Sequence, residues 1–236
     1  MAPTRTAAYA NDTELFTLLE ERLFTAVVGD VMDHMGLTRQ FLPQPIKPLV
    51  TSSKLAGRAM PVLEADVPAD GNRASAGGPL RAKPFGLLME ALDDLKPGEI
   101  YVANGASMTY ALWGGLMTTR AMHLGARGAI LDGYCRDASE IEALGFPVFS
   151  RGLYAQDQGA RGKVVDWRCA IEIAGIRIAP GDLMFADREG VLVIPREAEA
   201  EVIARAVEKA ETENRVAEAI RGGMGAAEAF ATFGVL

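Results

Sequence analysis

The sequence predicts an α/β fold: a compact α/β/α sandwich on a mixed sheet, with a long C-terminal helix. Three observations carry that expectation. Helix-like and strand-like segments alternate between residues 84 and 150, as in sheets whose strands are buried by helices. Beyond residue 151 the text turns β-rich, KVVDWRCAIEIAGIRIAPGDLMFADREGVLVIP, broken by Ala-Gly, Pro-Gly and Glu-Gly turns, so several strands there should be antiparallel. From Pro195 an acidic start (Glu197, Glu199, Glu201) opens a helix of about 25 residues.

The elements follow in order. Asp12 and Thr13 are capping residues ahead of a first helix, and Thr25 is placed to cap a second that ends at Gly36. RQFLPQPIKPLV holds three prolines within six residues, which blocks helix and central strand alike and leaves an extended connector. KLAGRAMPVLEA reads as strand, PFGLLMEALDDL as helix, and KPGEIYVANG as a turn feeding a strand. Helix is expected over 115–124, strand over 128–132, helix over 137–144 and strand over 147–150. In the long helix Val202, Ile203, Ala206, Val207 and Ala210 form one apolar stripe, with Glu208, Glu211 and Arg215 facing elsewhere. GGMGAAEAFATFGVL breaks that helix and ends in a small aromatic cluster.

With 49% hydrophobic and 23% charged residues, the chain is expected to be one domain over 1–236, with N-terminal helices in 1–36 and a helical tail in 195–236. A net charge of −7 without any basic cluster argues against a nucleic-acid or anionic-membrane surface, although local donors can still take a small anion. No apolar stretch is long enough to span a bilayer and MAPTRTAAYA lacks a signal-peptide core, so a cytoplasmic protein is expected. Cys135 and Cys169 lie far apart and read as core thiols.

Two stretches could carry chemistry. In WGGLMTTRAMHLG, Gly114 and Gly115 precede a helix, and glycines there let a ligand approach the free N–H groups of Leu116 and Met117. The alternative is a tight turn that seats helix on sheet. In GAILDGYCRD, an apolar strand is followed by Arg136 and Asp137. Ligands of open α/β sheets collect beyond the carboxyl ends of strands, so this pair is aimed at such a position. Arg offers a planar fork for a carboxylate or carbonyl, and Asp a hard oxygen for Mg²⁺ or a similar ion. The alternative is that Asp137 caps the next helix and Arg136 forms a solvated ion pair. Asp30, Asp33 and His34 read as a solvated helix face, His123 as a surface residue, and Asp187, Arg188 and Glu189 as a charged hairpin turn. No G-x-S-x-G, P-loop, strand-linked G-x-G-x-x-G or H-E-x-x-H is present, which removes the usual support for hydrolase, kinase and zinc-protease readings.

The Gly-Gly turn, the strand ending in Asp-Gly-x-x-Arg-Asp and the later PGDLMFADREGVLVIP occur in one order, and in this the chain resembles the RraA-like family. The likeness runs from TAVVGDVMDHMG to FATFGVL. That family includes class II 4-hydroxy-4-methyl-2-oxoglutarate / 4-carboxy-4-hydroxy-2-oxoadipate aldolases, some with oxaloacetate decarboxylase activity, and regulators of ribonuclease E. The resemblance implies that Asp137 ligates Mg²⁺ or Mn²⁺ largely hydrated, that Arg136 contacts the substrate keto oxygen, and that Leu116 and Met117 N–H groups in the Gly114–Gly115 turn receive its carboxylate. The family's aldolases carry an acidic residue, which orders metal-bound water, 21 positions before the Arg; here that position is Gly115. A C-terminal glutamate from an adjacent subunit is also implied near the metal, with Glu213 the best match. The implied protein is a trimeric or hexameric metal-dependent lyase that cleaves a carbon–carbon bond of a small 2-oxo acid and releases pyruvate. Without an acid at 115, decarboxylation, which needs no base, gains weight over aldol cleavage. Two alternatives stand beside it: a non-catalytic protein-binding regulator, and a hydratase or other lyase of sugar-acid or aromatic catabolism using the same metal site.

Overall fold

The computed structural model describes residues 9–67, 80 and 83–235. Helices α1 (Asp12–Arg22) and α2 (Thr25–His34) lead into β1 (Lys47–Pro48) and the long β2 (Leu55–Asp66). Then come α3 (Leu88–Asp93), β3 (Glu99–Asn104), β4 (Ala111–Trp113), α4 (Gly115–His123), β5 (Gly128–Leu131), β6 (Tyr134–Cys135), α5 (Ala138–Leu144) and β7 (Val148–Ser150). The remainder is β8 (Gly162–Trp167), β9 (Ile171–Ile173), β10 (Ile176–Ile178), β11 (Leu183–Ala186), β12 (Val191–Ile194), α6 (Glu199–Arg221) and α7 (Ala226–Phe233).

The main sheet is mixed, as expected, in the order β1-β7-β5-β3-β2-β11-β12, with β8 also on β2. β2, β3, β5 and β7 run parallel, and β1, β8, β11 and β12 join antiparallel. Alternation along the strands divides the core. Ala56, Met60, Val62, Tyr101, Ala103, Ala129 and Leu131 point to the helices, α3–α5 over one half of the sheet and α1, α2 and α6 over the other. Leu55, Ala59, Ile100, Val102, Ile130, Met184 and Val193 point to the opposite face of the curled sheet. The β9–β10 hairpin with Leu42 and Ile46 closes that face. Its Ala174–Gly175 turn has positive φ at both residues, the turn whose twist matches a two-residue hairpin.

Several local expectations shift. The helix expected from Pro84 starts only at Leu88, because Phe85 and Gly86 have positive φ and Gly86 lies against the Val164 carbonyl. The first helix is capped by Asn11, whose side chain accepts the Glu14 N–H at 3.0 Å, while Asp12 is drawn to Arg58. Thr25 is not a cap but the first helical residue, and its N–H and hydroxyl donate to Asp187 at 2.9 and 2.8 Å. Asp187 is therefore buried, not a solvated turn residue. The terminal segment forms α7, with Ala229 buried and Phe230 exposed, in place of an aromatic cluster. Cys135 is a core thiol as expected, whereas Cys169 is only partly buried. The connector keeps to sheet edges: β1 pairs with β7, and Phe41 bridges to Leu192 beside β12. Among the described residues no helix is long and apolar enough to cross a membrane.

Candidate active site

Two very short strands assemble the site. β4 and β6 pair in parallel, Ala111 with Tyr134 and Trp113 with Cys135, and the Arg136 N–H continues the ladder to the Trp113 carbonyl at 2.9 Å. The Gly-Gly turn that follows β4 and the Arg-Asp pair that follows β6 are thus held side by side. Trp113 anchors this junction: it is buried against Tyr101 and stacked on Phe146, and its indole N–H donates to Thr118 Oγ1 at 2.7 Å in the first turns of α4.

Asp137 adopts the left-handed conformation, φ 59°, which Asp tolerates better than most residues. Its side chain does not cap α5; Oδ2 accepts the Gly115 N–H at 2.9 Å, at the tip of α4. The capping half of the alternative thereby fails, while its other half holds, because Arg136 forms a partly exposed ion pair with Asp157. A side chain at Gly114 would collide with this carboxylate, since a Cβ there would lie 2.7 Å from Asp137 Oδ2 and 3.3 Å from Arg136 Cγ. The first intrahelical bond of α4 runs from the Thr118 N–H to the Gly114 carbonyl, so the Leu116 and Met117 N–H groups precede the helical ladder and face outward at its positive end. Leu116 is 85% exposed, and Met117 packs partly on the core.

Arg136 Nη1 pairs with Asp157 at 2.9 Å, and its Nε lies 3.8 Å from Asp137 Oδ2. The Arg136 and Asp137 side chains remain 38% and 44% exposed, so a small ligand can reach both. The loop carrying Asp157 is fixed by Tyr154 N–H to the Cys135 carbonyl, 3.0 Å, and by Ala111 N–H to the Gln156 carbonyl, 2.9 Å. Next along, Gln158 Nε2 donates to Glu64 at 2.7 Å. Burial pushes the Glu64 carboxyl up to about 8, with the Asp66 carboxylate adding to the effect. Burial also pushes the Cys135 thiol up to about 12, helped by the Asp137 charge, which removes it as a nucleophile near neutral pH.

Asp157 and Glu140 are the site residues that sequence reasoning missed. Glu140 reaches across so that a Cβ on Gly115 would lie 2.1 Å from its Oε2. Asp137-x-x-Glu140 has the spacing of an ordinary helix start, so nothing local marks it. Glu213 lies apart: it pairs with Lys209 at 2.7 Å, which also holds Asp30 at 2.9 Å, and no hydrogen bond or ion pair links it to Arg136 or Asp137 within the chain. His34 Nδ1 bonds the Asp30 carbonyl on an exposed helix face, and His123 is exposed, both as expected.

Among the described residues no three His, Cys, Asp or Glu side chains are grouped closely enough to hold a metal ion. A closed zinc site is therefore not present there. One hard carboxylate that is partly exposed, Asp137, fits Mg²⁺ or Mn²⁺, which keep most of their ligands as water, while the neighbouring amide N–H groups suit an anion instead.

A mixed sheet that sets a partly exposed arginine–aspartate pair against a glycine-led helix tip defines the class of α/β protein seen here. A family model described as RraA-like, Aldolase/RraA, matches residues 25–193, and the chain belongs to that family. It is 30% identical over 188 residues to a protein of Halalkalibacterium halodurans named putative 4-hydroxy-4-methyl-2-oxoglutarate aldolase, covering 78% of this chain and 79% of that one. It is 29% identical over 200 residues to Protein DlpA of Legionella pneumophila, covering 84% of this chain but only 30% of that protein's length. A crystal structure of an uncharacterized protein from Pseudomonas syringae pv. tomato superposes with a TM-score of 0.80 at 28% identity, over 99% of this chain and 100% of that one.

Proposed function

We propose that this protein is a divalent-metal-dependent lyase that cleaves a carbon–carbon bond in a small 2-oxo acid and releases pyruvate. One observation carries the reading: the Asp137 carboxylate is turned away from its own helix and held at the tip of α4, beside the Arg136 guanidinium. The relative named as a putative aldolase supports the reaction class.

Asp137 would hold Mg²⁺ or Mn²⁺, which when bound supplies Lewis-acid stabilisation of negative charge. The substrate carboxylate fits the Leu116 and Met117 N–H groups, where the helix dipole adds to two unpaired donors. Glycine at 114 and 115 leaves room for the Asp137 and Glu140 carboxylates beside that helix tip. Arg136, steadied by Asp157, donates to the keto oxygen and stabilises the charge that gathers there as the pyruvate enolate forms. Loss of CO₂ from oxaloacetate requires no base, whereas retro-aldol cleavage requires one for the hydroxyl proton. The working particle is proposed to be a trimer or hexamer, with Glu213 brought to the site by a neighbouring chain and small oxo acids as its ligands.

The test is pyruvate release from oxaloacetate and from 4-hydroxy-4-methyl-2-oxoglutarate with Mg²⁺. EDTA should abolish it, and Asp137→Ala should lower kcat/KM about a hundredfold or more. Activity that survives both treatments refutes the site. Inertness toward every oxo acid, together with tight binding of one specific protein, favours the alternative of a non-catalytic protein-binding regulator.

A further inference from the structure

The exchange of space between Gly115 and Glu140 carries a further step, which rests on the lyase reading above. Gly115 is the first residue of α4 and does not have positive φ, so its backbone suits any amino acid. The space above it is taken by the exposed Glu140 side chain: a Cβ on Gly115 would lie 2.1 Å from Glu140 Oε2 and 2.6 Å from Glu140 Cδ. Glu140 stands in the first turn of α5, three residues after Asp137. That spacing normally yields a capping box, with each side chain bonding the other residue's N–H. Here the Glu140 N–H bonds the Asp137 main-chain carbonyl at 3.1 Å, and neither carboxylate serves α5. Both cross to the tip of α4, Asp137 over Gly114 and Glu140 over Gly115.

We infer that Glu140, delivered from α5 into the space left by Gly115, is the proton acceptor of this site for a 4-hydroxy-2-oxo acid. The balance of the step is complete. The hydroxyl proton passes to the Glu140 carboxylate, and the O–H electron pair becomes the carbonyl of the departing fragment. The carbon–carbon bond breaks, and its pair enters the enolate of pyruvate. The same proton then returns from Glu140 to the enolate carbon, giving the methyl group. Oxaloacetate carries no such hydroxyl, so its decarboxylation depends far less on Glu140.

The experiment compares the wild type, Glu140→Gln and the double variant Gly115→Asp/Glu140→Ala, the last moving the carboxylate from α5 to α4. Three readouts are taken: retro-aldol cleavage, oxaloacetate decarboxylation, and Mn²⁺ affinity by calorimetric titration of the full chain. Glu140→Gln should lower retro-aldol kcat about a hundredfold and decarboxylation no more than about fivefold. It should weaken Mn²⁺ binding about tenfold, as the loss of a neighbouring acidic partner does. The double variant should recover at least about tenfold of the lost retro-aldol rate. Wild-type Mn²⁺ binding and cleavage that are unaltered in Glu140→Gln overturn the inference and leave the lyase reading standing. An equal fall in both reactions, without recovery in the double variant, makes Glu140 structural and also overturns it. A wild type that neither binds Mn²⁺ nor cleaves any oxo acid overturns the lyase reading and this inference together.

Discussion

Glu64 shows how much one residue's setting can weigh. It lies near the end of β2 with one carboxyl oxygen bonded by Gln158 and the other buried without a partner. Burial lifts its pKa from 4.5 to about 8, so the folded state holds this proton more tightly than the unfolded chain does. The stability this contributes is fully present below about pH 4.5 and is lost as pH rises through about 8. Glu64→Gln keeps an acceptor for Gln158 and removes the titration. Its melting temperature should exceed the wild type's above pH 8 by on the order of 5 °C, with the gap shrinking toward pH 5. Thermal scans between those limits that stay parallel would contradict this account.

Between elements, ion pairs do the fastening, the Arg58–Glu199 pair buried and the Arg58–Asp12 pair open to solvent at the aspartate. Arg58 on β2 is bonded by Glu199 at the start of α6 and by Asp12 at the start of α1, while Tyr9 donates to Glu199 at 2.7 Å. The sequence places Glu199 and Glu201 alike, as acids favoured at a helix start, yet only Glu199 is buried. Glu199→Ala leaves Arg58 buried with half its partners and should cost about 3–5 kcal/mol in urea unfolding. Glu201 meets Arg205 on the surface, so Glu201→Ala serves as the control and should cost less than about 1 kcal/mol. If the two variants unfold at the same urea concentration, Arg58 is not the joint between these helices and the sheet. The same logic places Asp187, remote in sequence, at the N-terminus of α2.

For the whole molecule, the helices gather on one face of the curled sheet while a β-hairpin closes the other. Apolar side chains remain outside this arrangement, including Leu116 beside the candidate site and Phe230 on α7. Isolated exposed apolar groups are ordinary on a protein surface. The proposed ring predicts that light scattering finds a particle of three or six chains of 25.2 kDa each. A single 25.2 kDa species would remove the route by which Glu213 could reach Asp137.

Periodicity and turn chemistry in the sequence determined the α/β alternation, the antiparallel β-rich segment, the long terminal helix, and the two stretches, Gly114–Met117 and Arg136–Asp137, that come together. These signals are local, carried by residues within a turn or two of one another. Tertiary structure alone decided that Asp137 abandons its own helix for the Gly115 N–H, that Asp157 steadies Arg136, and that Glu140 fills the space Gly115 leaves. The pairing of β4 with β6 joins strands of three and two residues, too short to show any period. Whether a carboxylate caps, pairs or stands free depends on which distant backbone the fold lays beside it.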